Sequence, residues 1–345
     1  MPGRRWPNPG PLPVPDFPWP IGAATGLGSL PGTDIAEAQR LIFGELPDLP
    51  HLAELPERGP GADMIGRSAG LLVDLPVQLY AGGWQVARRP GQDLRRAADL
   101  WERDLDQLTE QGDGFAGVLK LQATGPWTLA ASLDLPIGGR LLRDPGAVRD
   151  LTGSLAEGLR RHVVEVRRRL PHASVLLQLD EPSLPTVMAG RVPTESGLSA
   201  YRAVERADAA GALRTVVEAA GAPVVLHCCA PDVPLEVARD ARAAGVALDL
   251  SLLSGLDPLG EALDAGLGLF AGAAATRPPS SGRAPTSAEV ADRIRTLWTR
   301  LGFPAQRLAA QVVVTPACGL AGASDRYVRA VLAACRDAGR RLAEV

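Results

Sequence analysis

Along this chain, short apolar runs of strand length alternate with longer stretches in which apolar residues return every three or four positions. The runs fall at Ala23–Leu27, Gly117–Leu121, Ser174–Leu179, Pro223–Leu226, Val246–Leu250, Gly268–Phe270 and Gln311–Val314, with a less distinct eighth at Val77–Tyr80. Between them, Asp93–Thr109 carries Leu94, Ala98, Trp101, Leu105 and Leu108 on one helical face. Asp144–Leu170 opens on an Asp-Pro cap and repeats Val148, Leu151, Leu155, Leu159, Val163 and Val166. Thr286-Ser287-Ala288-Glu289 has the form of a capping box and starts a helix through Leu301, and Ser324 to Val345 makes the last helix. Such alternation predicts parallel strands joined by crossover helices, an α/β fold. Seven or eight units, with no Gly-rich dinucleotide turn after the first strand, favour a (β/α)8 TIM barrel over an open doubly wound sheet.

Length and composition narrow this picture. The 345 residues suit one large barrel. Residues 1–20 are rich in proline and are expected to form an extended arm, leaving 21–345 as a single domain in which Arg277 to Pro285 is a loop. A formal charge of −3, with both signs mixed along the chain, gives no nucleic-acid surface, and no apolar stretch is long enough for a signal peptide or a membrane span. Nothing marks an obligate protein partner, so a small molecule is the expected one. Four cysteines are too few for a disulfide framework, and Cys228-Cys229 would close only a strained vicinal bridge, which points to a reducing cytoplasm. Lys120 is the only lysine.

In a barrel the carboxyl ends of all strands share one face. Ser29, Asp180, Glu181, His227, Cys229, Ser251 and Cys318 all follow predicted strands and so converge there. Imidazole and thiolate are ligands that zinc prefers, and His227, Cys229 and Cys318 leave a fourth tetrahedral position for a substrate. Cys228 should point the other way into packing, Cys335 and His162 belong to helix faces turned inward, and His51 and His172 sit in loop-like sequence exposed to solvent.

Five motifs in order resemble those of the cobalamin-independent methionine synthase family, in its catalytic barrel. They are Thr25-Gly26-Leu27-Gly28-Ser29-Leu30-Pro31, Gly125-Pro126-Trp127-Thr128, Gln178-Leu179-Asp180-Glu181-Pro182, His227-Cys228-Cys229 and Pro316-Ala317-Cys318-Gly319-Leu320. The resemblance implies a zinc methyltransferase that moves a methyl group from a methylated folate to the thiol of homocysteine, giving methionine. It implies that Leu27, Gly28 and Ser29 hold the amino-acid carboxylate and that Asp180 holds the ammonium with Glu57; the family's donor-facing aromatic matches Ser132 here, and Trp127 nearby is the residue expected to stack the donor from another position. An additional family ligand, a glutamate, matches Ser251, with Asp249 on the same strand face as the alternative. The family's proton-managing histidine is absent, its segment being Ala271-Gly272-Ala273-Ala274-Ala275-Thr276 here. A corrinoid or other pre-activated methyl donor is therefore an alternative, as in the zinc thiol methyltransferases related to uroporphyrinogen decarboxylase. A zinc-binding barrel without catalysis is the other.

Overall fold

The computed structural model describes residues 16–278 and 282–344. Its centre is a six-stranded parallel sheet in the order β3 (Val118–Thr124), β4 (Ser174–Asp180), β5 (Val224–Cys228), β6 (Gly245–Asp249), β7 (Gly268–Ala274) and β8 (Val312–Pro316). Every pairing is parallel, and helices cover the outer side, which is why these strands read as nearly continuous apolar runs.

Both edges of the sheet are met by extended chain. On β8, Val314 N donates to Ala23 O and Thr25 N to Val314 O, each at 3.0 Å. On β3, Leu52 N donates to Lys120 O at 3.0 Å and Lys120 N to Pro50 O at 2.9 Å. The two flanking segments meet each other where Leu30 N donates to Glu54 O at 2.9 Å and Glu54 N to Gly28 O at 3.1 Å. The expected strand at Val77–Tyr80 does form, as β1, but it pairs antiparallel with β2 (Gly83–Val86) in a separate hairpin. Its partner lies three residues away, and a local turn brings two such strands together more readily than a long crossover does. The place beside β3 goes instead to residues 50–52.

The expected helices are present as Gln92–Gln111, Pro145–Arg169 with Asp144 as N-cap, Ser287–Leu301 with the Thr286–Glu289 capping box, and Asp325–Ala343. Side chains alternate across each strand. The outward set packs on the helices in one large apolar cluster, and the inward set begins with a smaller one around Leu176, Val225, Ala247, Phe270 and Val313. Trp19, from the last residues of the predicted arm, is buried in that inner cluster, edge-on to Phe270 at 5.0 Å; residues 1–15 of the arm, and 279–281 of the predicted loop, lie outside the described residues.

One step toward the carboxyl ends, the inward positions turn polar: Lys120, Gln122, Gln178, Asp180 and His227, all buried. Lys120 Nζ donates to Gln178 Oε1 at 2.8 Å and to Gln122 Oε1 at 3.2 Å. Gln178 Nε2 donates to Leu27 O at 3.0 Å and to Asp180 Oδ1 at 2.7 Å. Buried polar groups persist only when satisfied in this way.

Candidate metal centre

His227 and Cys229 stand two residues apart, on one side of β5 and its extension, and Cys318 follows β8. One donor atom from each of the three lies within 4.8 Å of the other two. The Cys229 and Cys318 sulfurs are 3.0 Å apart and unbridged. Asp180 Oδ1 is 2.6 Å from His227 Nδ1, which fixes the ring; Nε2 is buried and has no hydrogen-bond partner among the described residues. An unpartnered buried nitrogen is costly, and beside two sulfurs it has the geometry of an aimed ligand. One imidazole and two thiols form a donor set that fits a soft or borderline divalent metal.

The protonation of these three groups is coupled. Burial alone would lower the His227 pKa, but the bond to Asp180 and the nearby Cys318 sulfur override it and raise the group to about 9. The contact between the two sulfurs holds the Cys318 thiol well below its usual range, with His227 adding to this, and raises Cys229. Cys228 is buried as expected, its thiol pushed up to about 12 by burial.

Asp249 and Ser251 do not join this group. Asp249 caps the short turn Leu250–Leu252, accepting from Ser251 N at 2.8 Å and from Ser251 Oγ at 2.6 Å. That turn follows the strand at once, so Ser251 leaves the strand face on which an ungapped reading had put it.

Beside the metal ligands lies the Leu27–Ser29 turn. Gly28 has φ +121°, and a Cβ there would stand 2.9 Å from Gln122 Cγ and 3.0 Å from Glu54 Oε2, so only glycine lets Glu54 approach. Ser29 O accepts from Leu320 N at 2.8 Å, and a Cβ at Gly319 would fall 2.0 Å from Ser29 Oγ, so the serine hydroxyl lies against the loop that bears Cys318. Glu57, in contrast, sits exposed in the turn Pro56–Arg58. The acidic group of this pocket is Glu54, three residues earlier, whose Oε1 is 3.8 Å from Arg67 Nε. Burial raises Glu54 to about 7, Arg67 opposes this, and the Asp180 charge adds to it. The one local mark of Glu54 is that Leu52-Ala53-Glu54-Leu55 sets a single acid inside an apolar run.

Two further expectations are corrected. Trp127 is buried in the core, with Nε1 donating to Ala209 O at 3.0 Å, so its ring offers no shelf to a donor. His51 is fully buried and contacts Leu52 O at 3.1 Å through Nδ1; burial, with the Lys120 charge, lowers it to about 3. Glu181 has a structural partner: it accepts from Trp127 N, Thr128 N and Thr128 Oγ1 at 2.7–2.9 Å and so caps the helix Pro126–Ser132. Burial, against these bonds, raises it to about 7.

A parallel α/β sheet that brings imidazole, thiols and a carboxylate together at its carboxyl ends has a group that could hold a metal ion. Residues 116–341 match the sequence model of the cobalamin-independent synthase catalytic domain, and the chain belongs to that family, a family of methyltransferases. A B12-independent methionine synthase from Shewanella sp. W3-18-1, solved in complex with selenomethionine, superposes with a TM-score of 0.57 at 13% identity, over 94% of this chain and 98% of that one. A putative dihydrodipicolinate synthetase from Pseudomonas aeruginosa gives a TM-score of 0.38 at 10% identity, over 93% of this chain and 80% of that one. No curated protein sequence matches the chain.

Proposed function

We propose that this protein transfers a methyl group to the thiol of homocysteine, giving methionine, at a zinc ion held by His227, Cys229 and Cys318. The observation that carries the reading is the orphaned, buried Nε2 of His227, aligned by Asp180 beside two sulfurs 3.0 Å apart. When bound, zinc supplies the Lewis acidity that keeps a substrate thiol as thiolate at neutral pH. Asp180 holds His227 in orientation and, with Glu54, provides negative charge for the substrate ammonium; Oδ2 of Asp180 makes no protein hydrogen bond among the described residues. The Leu27–Ser29 turn offers backbone and hydroxyl to the carboxylate. In the transfer, the sulfur lone pair forms the S–CH3 bond while the donor keeps the electrons of the bond that breaks.

The hydrogen bonds from β8 to residues 23–25, from there through 28–30 to residue 54, and from 50–52 to β3 support a closed (β/α)8 barrel as the architecture, with residues 21–345 as one domain. Two free sulfurs in near contact also favour a reducing, cytoplasmic setting. A donor with an already activated methyl is the second reading. It is favoured by Ala271–Thr276, which supplies no acid to protonate a departing amine.

The test is zinc stoichiometry of wild type and Cys318→Ala, with X-ray absorption before and after homocysteine. Near-stoichiometric zinc that is lost in the variant, and a sulfur ligand gained in wild type, are expected. Metal-free wild type, or zinc blind to homocysteine, would sink the reading.

A further inference from the structure

Arg67, on the short helix Met64–Ala69, is a cation only 1% exposed, and two of its three guanidinium nitrogens, Nε and Nη2, make no hydrogen bond among the described residues. A buried charge is costly unless it is paired. The third nitrogen, Nη1, donates to Asp104, which is itself buried and also takes Arg58 through two bonds, at 2.6 and 2.9 Å. One carboxylate thus meets two cations, and the group holds a surplus positive charge. The other acid within ion-pair reach of Arg67 is Glu54, whose Oε1 stands 3.8 Å from Arg67 Nε, near enough for attraction and too far for a hydrogen bond.

The guanidinium is held in place by the helix Gln92–Gln111. Its Cζ lies 3.6 Å from the centre of the Trp101 ring, and Trp101 Nε1 donates to Arg67 O at 2.8 Å. Trp101 and Asp104 are three residues apart and share one face of that helix. With the ring stacked and Nη1 engaged, the edge that carries Nε and Nη2 is the one left open. Its two N–H groups point the same way and form a fork that fits a carboxylate.

The oxygens of Glu54 face different neighbours. Oε1 faces Arg67, whereas Oε2 lies against the Leu27–Ser29 turn, 3.0 Å from where a Cβ on Gly28 would stand. The Glu54 backbone is tied to Gly28 O and Leu30 N, so the carboxylate can turn while its main chain stays in place. The charged groups that face it are Arg67, Lys120 from β3 and Asp180 from β4; the two cations favour its anion, while burial and Asp180 oppose it.

We propose that Arg67 is a positioning residue for amino-acid binding: its open fork takes Glu54 Oε1 and leaves Oε2 aimed at the ammonium of homocysteine beside the Leu27–Ser29 turn. The assignment rests on the methyl-transfer reading above and adds to it the cation that stands behind Glu54. Arg67 acts through that carboxylate and touches neither substrate nor metal. Without it, burial and Asp180 would keep a proton on Glu54 to higher pH, and a neutral carboxyl holds an ammonium weakly.

The test is a double-mutant cycle on the zinc-loaded full chain. Homocysteine affinity is measured by calorimetry between about pH 6 and 9 for wild type, Arg67→Gln, Glu54→Gln and the double variant, with X-ray absorption reporting whether the sulfur reaches zinc. Arg67→Gln is expected to weaken homocysteine by about tenfold at neutral pH and to move the rise of affinity with Glu54 ionisation to higher pH. In the Glu54→Gln background the same change should do nothing. Arg67→Lys keeps a cation and loses the fork, so it should keep the wild-type pH profile with a smaller loss, and it carries the same cycle if Arg67→Gln does not fold. In every variant Asp104 retains both bonds to Arg58. A loss that persists in full in the Glu54→Gln background overturns the proposal, since Arg67 would then act by packing or by touching the substrate itself. Affinity within about twofold of wild type in both Arg67 variants overturns it too. Zinc that gains no sulfur from homocysteine in wild type overturns the methyl-transfer reading, and this proposal with it.

Discussion

Asp180→Asn isolates what the carboxylate does for the metal ligand. One oxygen, Oδ1, takes both His227 Nδ1 at 2.6 Å and Gln178 Nε2 at 2.7 Å, and Gln178 in turn receives Lys120 at 2.8 Å. Asparagine keeps the shape and an acceptor oxygen, so it removes charge and little else. A charge-assisted hydrogen bond is roughly twice as strong as a neutral one. Replacing the partner of a ligating histidine costs about 10–100-fold in metal affinity, which corresponds to about 1.4–2.7 kcal/mol. Competition for zinc against a chromophoric chelator measures this directly, with the thermal midpoint of the metal-free protein as the control for folding. Zinc affinity within about twofold of wild type would refute the claim that Asp180 acts through His227. A weaker zinc site together with a higher homocysteine KM would show that Asp180 also meets the ammonium.

Three more outcomes follow from the geometry. Glu54→Gln should raise the homocysteine KM by about tenfold, through loss of a charge-assisted contact, whereas Glu57→Gln, at an exposed turn, should leave it unchanged; steady-state kinetics of the pair separate the two glutamates. Gly125→Ala puts a Cβ 2.3 Å from Glu181 Oε1, which cannot retreat without abandoning Trp127 N and Thr128 N, so calorimetry should find a loss of about 1–3 kcal/mol. His162 packs against Trp101 at 4.5 Å, and burial, with the Arg67 charge, lowers it to about 3. The unfolded chain therefore binds its proton first, and stability falls as pH drops from about 6.5 toward 3; His162→Phe should gain on wild type by about 1.4 kcal/mol per pH unit in that window. Parallel urea titrations across the range check the slope, and a constant difference would mean that His162 is charged in the folded state.

Much of the scaffold was legible because its signals are local. β-branched runs at residues 224–226 and 312–314 gave β5 and β8, and the Asp144 and Thr286 caps fixed two helix starts within a residue. The group His227, Cys229 and Cys318 was legible for the same reason, since two of its members lie two residues apart on β5 and its extension. The misreadings have a common cause, which is pairing across long sequence separation. Leu49-Pro50-His51-Leu52-Ala53-Glu54 has no β-branched residue and carries a proline, Pro50, within it, so nothing local marks it as extended. Its conformation comes from Lys120 on one side and from the Gly28–Leu30 turn on the other. Once that segment is placed, His51 becomes interior and Glu54 displaces Glu57 from the pocket. Trp127 was misplaced differently: it belongs to a short helix whose axis is set by Glu181, and that cap turns the indole toward Ala209.

The same distinction explains why thiol activation is better defined here than the donor. The thiol side is made of strand-end groups whose positions are over-determined: Asp180 by Gln178, Gln178 by Lys120 and Leu27, and the Cys318 loop by Ser29. Such a network rigidifies a site and leaves few alternative arrangements. The donor side is made of a loop, one helix face and a floor of glycine and alanine, where side chains contribute space in place of contacts. Small residues at the end of β7, Gly272 to Ala275, leave this space open as far as Ala317, the neighbour of Cys318.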